Sequence, residues 1–313
     1  MDKKQLKGSL MLLLAAFIWG VAFVAQSVGM EYVGPYTFIS VRFLIGSAVL
    51  VPVIFIRDRI AQKKSGSKEP VCPLTGQAKC NGEARKTLLI AGTLCGLALC
   101  AAATLQQVGM LYTTVGKAGF ITAMYIIFVP IAGILFKRFP GYKVWIAVVL
   151  SAVGLYMLCM TEGFRLALGD TYVFLCALLF TVQIMLVDRY SSQVDPVRLS
   201  SLQFLVTGLV AMVPMFLLEK PTWDVLFAAA GPILYAGVLS SGVAYTLQVV
   251  AQRDTNPTVA SLVMSLESVF SVLAGWVLLK EAMSGRELFG CVLMFGAIIL
   301  SQLPDKKSLF GKK

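Results

Sequence analysis

The sequence has no histidine, and only 14% of its 313 residues are charged. Without histidine it lacks the commonest metal ligand and the commonest proton shuttle near neutral pH. No GxxxxGK[ST] loop occurs, so the chain carries no P-loop to couple ATP hydrolysis to work. Its seven cysteines are Cys72, Cys80, Cys95, Cys100, Cys159, Cys176 and Cys291. Five of them lie in apolar segments without ligand spacing. Cys72 and Cys80 share one polar loop, where a lone pair is weak evidence for zinc or a disulfide and an incidental pair is favoured. A His/Asp couple, clustered carboxylates or a serine beside a base would be needed for an enzyme, and none of these stands out. The expectation is therefore not an enzyme, with no cofactor and no metal.

Apolar residue is what the chain has in abundance: 58% hydrophobic, with a mean hydropathy of +0.82. A soluble domain does not need so much, so the chain is read as an integral membrane protein. About 17 to 20 apolar residues make a helix that crosses a bilayer. Ten charge-poor windows qualify: 10–30, 35–56, 87–116, 118–136, 144–161, 171–187, 199–218, 225–252, 255–279 and 288–304. The first is too long for a signal-peptide core and shows no small-residue cleavage site, so it is expected to remain as a span.

Lys and Arg outnumber Asp and Glu 27 to 16. With the N-terminus placed in the cytoplasm, 21 basic residues fall in inner segments and 5 in outer loops. Both termini are thus expected in the cytoplasm. The surplus of positive charge then marks topology, with anionic lipid headgroups as partners and not nucleic acid.

The chain is also similar to itself. At an offset of 161, Pro35 meets Pro196, Ser40 meets Ser201, and Phe43-Leu44 meets Phe204-Leu205. At an offset of 142, Thr104-Leu105-Gln106 meets Thr246-Leu247-Gln248, Ala118 meets Ala260, and Gly154 meets Gly296. The offsets differ by 19, which places an insertion of about that length in the polar loop 57–86 of the first copy. Five spans per copy force the second to enter the membrane from the opposite side. Inverted repeats of this kind are common in secondary transporters that work by alternating access.

Charges inside spans are expensive, by at least about 2.5–3.5 kcal/mol each on insertion scales, and so face the bundle interior or water. Two such residues stand well inside: Arg42 and Glu267. At helical rise, Arg42 lies about 10 Å from the outer end of span two and Glu267 about 18 Å from the inner end of span nine, close to the midplane. For Glu267 three roles compete. It is a structural carboxylate bonded to Arg42 or nearby hydroxyls, a proton-coupling acid, or a counter-ion for an amine. Arg42 is either paired or snorkelled to headgroups, or a clamp for a substrate carboxylate or phosphate. Its repeat mate is Gln203, and that of Glu267 is Tyr125. Gln106, Gln248, Trp19 and Tyr245 are further lining candidates. Helix-to-helix hydrogen bonding is the plainer reading of the glutamines, and packing that of Trp19 with its mate Phe180.

Ala16-Phe17-Ile18-Trp19-Gly20, Val41-Arg42-Phe43, Ala260-Ser261-Leu262 through Leu266-Glu267, Gly275-Trp276 and Leu279-Lys280-Glu281 together resemble the drug/metabolite transporter superfamily, specifically its ten-span EamA-type carriers. The resemblance covers essentially the whole chain, as units at 8–160 and 169–303. It implies an all-α membrane fold of two inverted five-helix bundles around a central cavity. It also implies movement of small metabolites or drugs, often outward and usually linked to an ion gradient. One departure is Ser268, where family members commonly have proline after the glutamate. The expected function is a proton-linked exporter of small metabolites, amino acids, amines or drugs in the bacterial inner or plasma membrane. A homodimer is compatible with the sequence. An importer, or a receptor or scaffold, is the alternative.

Overall fold

The computed structural model describes residues 3–65, 82–113, 115–137, 140–159, 168–278 and 284–302. Cys72, Cys80 and most of the expected insertion lie outside these residues. The described residues are helical and contain no strand. In chain order the helices are α1 (Lys3–Gly29), α2 (Pro35–Ser65), α3 (Gly82–Gly109), α4 (Val115–Ala123), α5 (Tyr125–Leu135), α6 (Tyr142–Cys159), α7 (Leu168–Ser191) and α8 (Pro196–Pro214). There follow a π-helical turn Met215–Glu219 that continues α8, then α9 (Trp223–Ala228), α10 (Ala230–Leu234), a π-helical stretch Tyr235–Tyr245, α11 (Thr246–Gln252), α12 (Pro257–Met264), α13 (Glu267–Leu278) and α14 (Gly285–Gln302).

Among the described residues eight helical stretches are long and apolar enough to cross a membrane. They correspond to expected spans one to four and six to nine. In the fifth window the apolar helix Tyr142–Met157 is shorter, and α14 occupies the tenth. The protein is an integral, multi-pass membrane protein. The apolar outer surface fits that solvent: Leu10, Leu14, Val213, Leu217, Val292 and Ile299 all face outward, where in lipid nothing drives them inside.

Three expectations change in detail. Helix α2 runs past the apolar window 35–56 to Ser65, and α3 begins at Gly82, so 57–86 is not loop throughout. At 31 residues α2 is about 46 Å long, more than the hydrocarbon thickness. Its polar end is held by ion pairs to the start of α8: Arg57 to Asp195 at 3.1 Å and Asp58 to Arg198 at 2.6 Å. Span eight is not one regular helix, because its middle is π-helical over 11 residues. Gly237 and Gly242 lie there, and α2 packs close: a Cβ on Gly46 would stand 2.7 Å from Ser241 Cβ.

Spans four and nine are each broken. At Met124 the amide bonds back three residues to the Ile121 carbonyl at 3.2 Å, and at Leu266 the amide does the same to Val263 at 3.3 Å. Both breaks therefore take the tighter three-residue turn. Neither contains proline. Around the second break serine side chains take up backbone carbonyls: Ser265 Oγ donates to Leu262 at 2.8 Å and Ser268 Oγ to Gly119 at 3.1 Å.

Helices α2 and α8 pack against each other through two serine-to-carbonyl bonds. Ser40 Oγ donates to the Gly208 carbonyl and Ser47 Oγ to the Ser201 carbonyl, each at 3.0 Å. Phe43 and Phe204 meet in the same contact, with ring centroids 5.9 Å apart. Buried Gly20 lets α1 lie against α13, since a Cβ there would be 2.8 Å from the Phe270 and Ser271 backbone.

Candidate functional site

The helix breaks place two side chains at the centre of the bundle. Tyr125 is the first residue of α5 and Glu267 the first of α13. Tyr125 donates its hydroxyl proton to Glu267 Oε1 at 2.9 Å across 142 residues of chain. That separation is also the offset at which Thr104-Leu105-Gln106 recurs as Thr246-Leu247-Gln248. Glu267 is 7% exposed, and what remains exposed faces a cavity.

All seven residues singled out from the sequence line this one cavity: Trp19, Arg42, Gln106, Tyr125, Tyr245, Gln248 and Glu267. Helical spacing explains the grouping. On α1, Trp19, Phe23 and Gln26 recur at intervals of four and three, and on α7 so do Phe180, Gln183 and Ile184 at three and one. The cavity is about 40 Å³. At ~10–15 Å³ per water that is room for about three waters, not for a solute. Solute sites run to hundreds of cubic ångströms, so the cavity as it stands is smaller than a solute.

Arg42 and Glu267 do not form an ion pair. Arg42 Nη1 donates to Gln26 Oε1 at 3.0 Å, and its guanidinium lies 4.7 Å from the Phe43 ring centroid and 5.7 Å from that of Phe38. Its Nε has no hydrogen-bond partner. The side chain is 2% exposed, so it lines the cavity and does not snorkel to headgroups. Tyr245 lines the cavity together with both charges. It also stacks edge-on to Trp19, with centroids 4.7 Å apart. Trp19 Nε1 in turn donates to the Ser240 carbonyl at 3.3 Å, within the π-helical stretch.

The amides make a partial chain. Gln106 donates to Thr122 Oγ1 at 3.1 Å. Gln248 donates to Gln183 at 3.4 Å and Gln183 to Gln203 at 3.5 Å, both long. Gln248 Oε1 and Gln203 Nε2 remain without a partner. Buried amides left half-bonded are costly unless water or a solute completes them.

Sequence reasoning passed over Gln26 and Gln183. Each is an amide inside an apolar span, the same signal that marked Gln106 and Gln248. Neither has a polar repeat mate, since Gln26 faces Val187 and Gln183 faces Ala22 at the offset of 161. Among the described residues no cluster of potential metal ligands occurs.

Over residues 6–160 and 167–303 the chain matches the EamA-like transporter family. It is 28% identical over 302 residues to an Archaeoglobus fulgidus protein named as an uncharacterized transporter, with 96% of this chain and 87% of that protein covered. It is 22% identical to YoaV of Bacillus subtilis, also named as an uncharacterized transporter, over 95% of this chain and 97% of that one. A crystal structure of another protein superposes with a TM-score of 0.75 at 16% identity, covering 94% of this chain and 96% of the other. That likeness is one of fold.

Proposed function

The chain belongs to the EamA-like transporter family, and from that premise we propose that it is a secondary active exporter of small metabolites or drugs, driven by protons through alternating access. A membrane transporter, not an enzyme, is what the family membership establishes. The finer reading rests on the site.

In this reading the chain crosses the membrane ten times, as inverted five-helix repeats at 8–160 and 169–303. Matched contacts support the repeat. The two residue pairs bonded between α2 and α8 exchange places at an offset of 161, as Ser40 corresponds to Ser201 and Ser47 to Gly208, although donor and acceptor are reversed between them. The three-residue turns at Met124 and Leu266 coincide at 142. A residue that touches its own mate must lie near the axis relating the halves, and Tyr125 touches Glu267. Broken helices meeting at the midplane are where transporters of this build bind solute and coupling ion.

The observation that carries the proposal is the lone cavity acid. Glu267 is the one acidic side chain lining the cavity among the described residues, and a single neutral hydroxyl is its side-chain partner. A structural carboxylate at such depth is expected to have a cation or several donors; this one is left free to exchange a proton or an amine. Both termini in the cytoplasm, as the basic residues favour, give the export direction its frame, and the bacterial inner or plasma membrane is the proposed location.

The test compares small-molecule levels inside and outside cells carrying wild type, Glu267→Gln or empty vector, at matched membrane expression. Wild type should move one compound class outward and Glu267→Gln should not. Equal movement by both would remove Glu267 from the mechanism, and inward movement would replace export with import.

A further inference from the structure

We infer that Arg42, held in place by Gln26, forms an oxyanion subsite in the central cavity, and that the solute carries a single carboxylate that docks there. The inference rests on reading the cavity as the transport site, and it adds the charge of one end of the cargo.

A guanidinium buried at this depth needs compensation. Arg42 has none from an acid. Its one side-chain hydrogen bond is to a neutral amide, and its Nε is unpaired. The acid that could reach the same cavity, Glu267, is turned to Tyr125. The surroundings hold the cation in a defined pose. Phe43 and Phe38 lie against it, and Gln26 is itself anchored by donating to the Ala22 carbonyl at 3.3 Å. A fork of N–H donors held by aromatic faces is the arrangement that takes a carboxylate bidentately.

The fold does not require this charge. At the equivalent place in the other half stands Gln203, neutral, buried and part of the amide chain. What the charge is there for must therefore be sought in the cavity. Glu267 in the same cavity narrows the answer, because a dianion such as a phosphate monoester would meet like charge within a small, poorly hydrated space. A monoanionic carboxylate is tolerated.

The experiment uses the purified full chain in detergent and three pairs of probes: acetate and acetamide, benzoate and benzamide, phenylalanine and its amide. Tm is followed against concentration. For at least one pair the carboxylate should bind about tenfold or more tightly than the amide. Arg42→Gln, which copies the other half, should remove the preference, and Arg42→Lys should restore part of it. No preference in wild type, or a preference that survives in folded Arg42→Gln, overturns the subsite. Should Arg42→Gln not fold, Gln26→Leu replaces it and must weaken the preference. Flux of the same compounds in proteoliposomes separates the two claims. A carboxylate preference without flux keeps the subsite and sinks the transporter; flux in which amide and carboxylate move alike does the reverse.

Discussion

The two halves of the chain make the same backbone features from different side chains. Both break their fourth helix with the same three-residue turn, at Met124 and at Leu266. Both then begin a new helix with a residue facing the cavity, but the first half supplies Tyr125 and the second Glu267. In their second helices the first half supplies Arg42 and the second Gln203. Each half thus brings one charge, of opposite sign, to a frame that is otherwise shared. Two acids at the Tyr125–Glu267 contact would repel, and two phenols would hold their protons throughout the neutral range and exchange none, so the proposed proton exchange calls for one acid beside one hydroxyl. In the proposed repeat the backbone recurs, and the proposed chemistry depends on the side chains differing between its copies.

The largest expected effect comes from exchanging that pair. Glu267→Tyr alone should abolish transport. Tyr125→Glu alone should place two carboxylates in contact and lower Tm. The double exchange returns one acid and one phenol to the axis of the proposed repeat. It should recover folding and restore flux to within about tenfold of wild type. If the double variant is as dead as Glu267→Tyr, the acid must sit on the second half for a reason outside the pair, and proximity to the axis loses its meaning.

A smaller effect separates packing from pattern. Gly154 and Gly296 are mates at 142, but their surroundings differ. A Cβ on Gly154 would come within 2.8 Å of the Gly290 carbonyl, whereas nothing lies within 4 Å of one on Gly296. Gly154→Val should cost about 1–3 kcal/mol by overpacking α6 against α14. Gly296→Val should stay within about 0.5 kcal/mol. Thermal melts in one detergent decide it, and equal losses would show that the two sites are packed alike.

Much of this was open to sequence reading because hydrocarbon is a strict solvent. Long apolar runs define the crossings, and a charge such as Arg42 or Glu267 inside one has nowhere to go but the interior. Gln26 and Gln183 escaped because an amide in a span is cheap enough to serve as helix glue, and neither is marked by the repeat. The helix breaks escaped for another reason. Proline is the usual sign of a break, but Pro130 sits inside α5, five residues past Tyr125. The second break is instead accompanied by Ser265 and Ser268 bonding to carbonyls. The π-helical stretch has only Gly237, Ser240, Ser241 and Gly242 to announce it, and those residues read equally well as close packing.

The smallest predicted effect lies at the two ends of the α2–α8 pair, where the halves again differ. Asp58 and Glu219 are mates at 161, as are Thr37 and Arg198. At the end assigned to the cytoplasm, Asp58 pairs with Arg198 at 2.6 Å, and Asp195 caps α8 by accepting from the Arg198 amide at 3.0 Å. At the other end Gly34 replaces the capping aspartate. Glu219 reaches across to take its place, accepting from the Tyr36 and Thr37 amides at 2.9 and 2.7 Å and from Thr37 Oγ1 at 2.6 Å. Both helix starts receive a carboxylate, one from its own chain neighbourhood and one from the opposite helix. In an alternating mechanism these are the contacts that part when either end opens. Each is partly exposed and contributes on the order of 1 kcal/mol, or about a fivefold shift in population. Labelling of Met264→Cys, in a background with the native cysteines replaced, reads the openings separately. Asp58→Asn should raise labelling from the cytoplasmic side and Glu219→Gln from the other. Added salt should imitate only the first, because an ion pair is screened and a bonded cap far less so. Both substitutions raising labelling from the same side would mean that the two ends do not work as opposed gates.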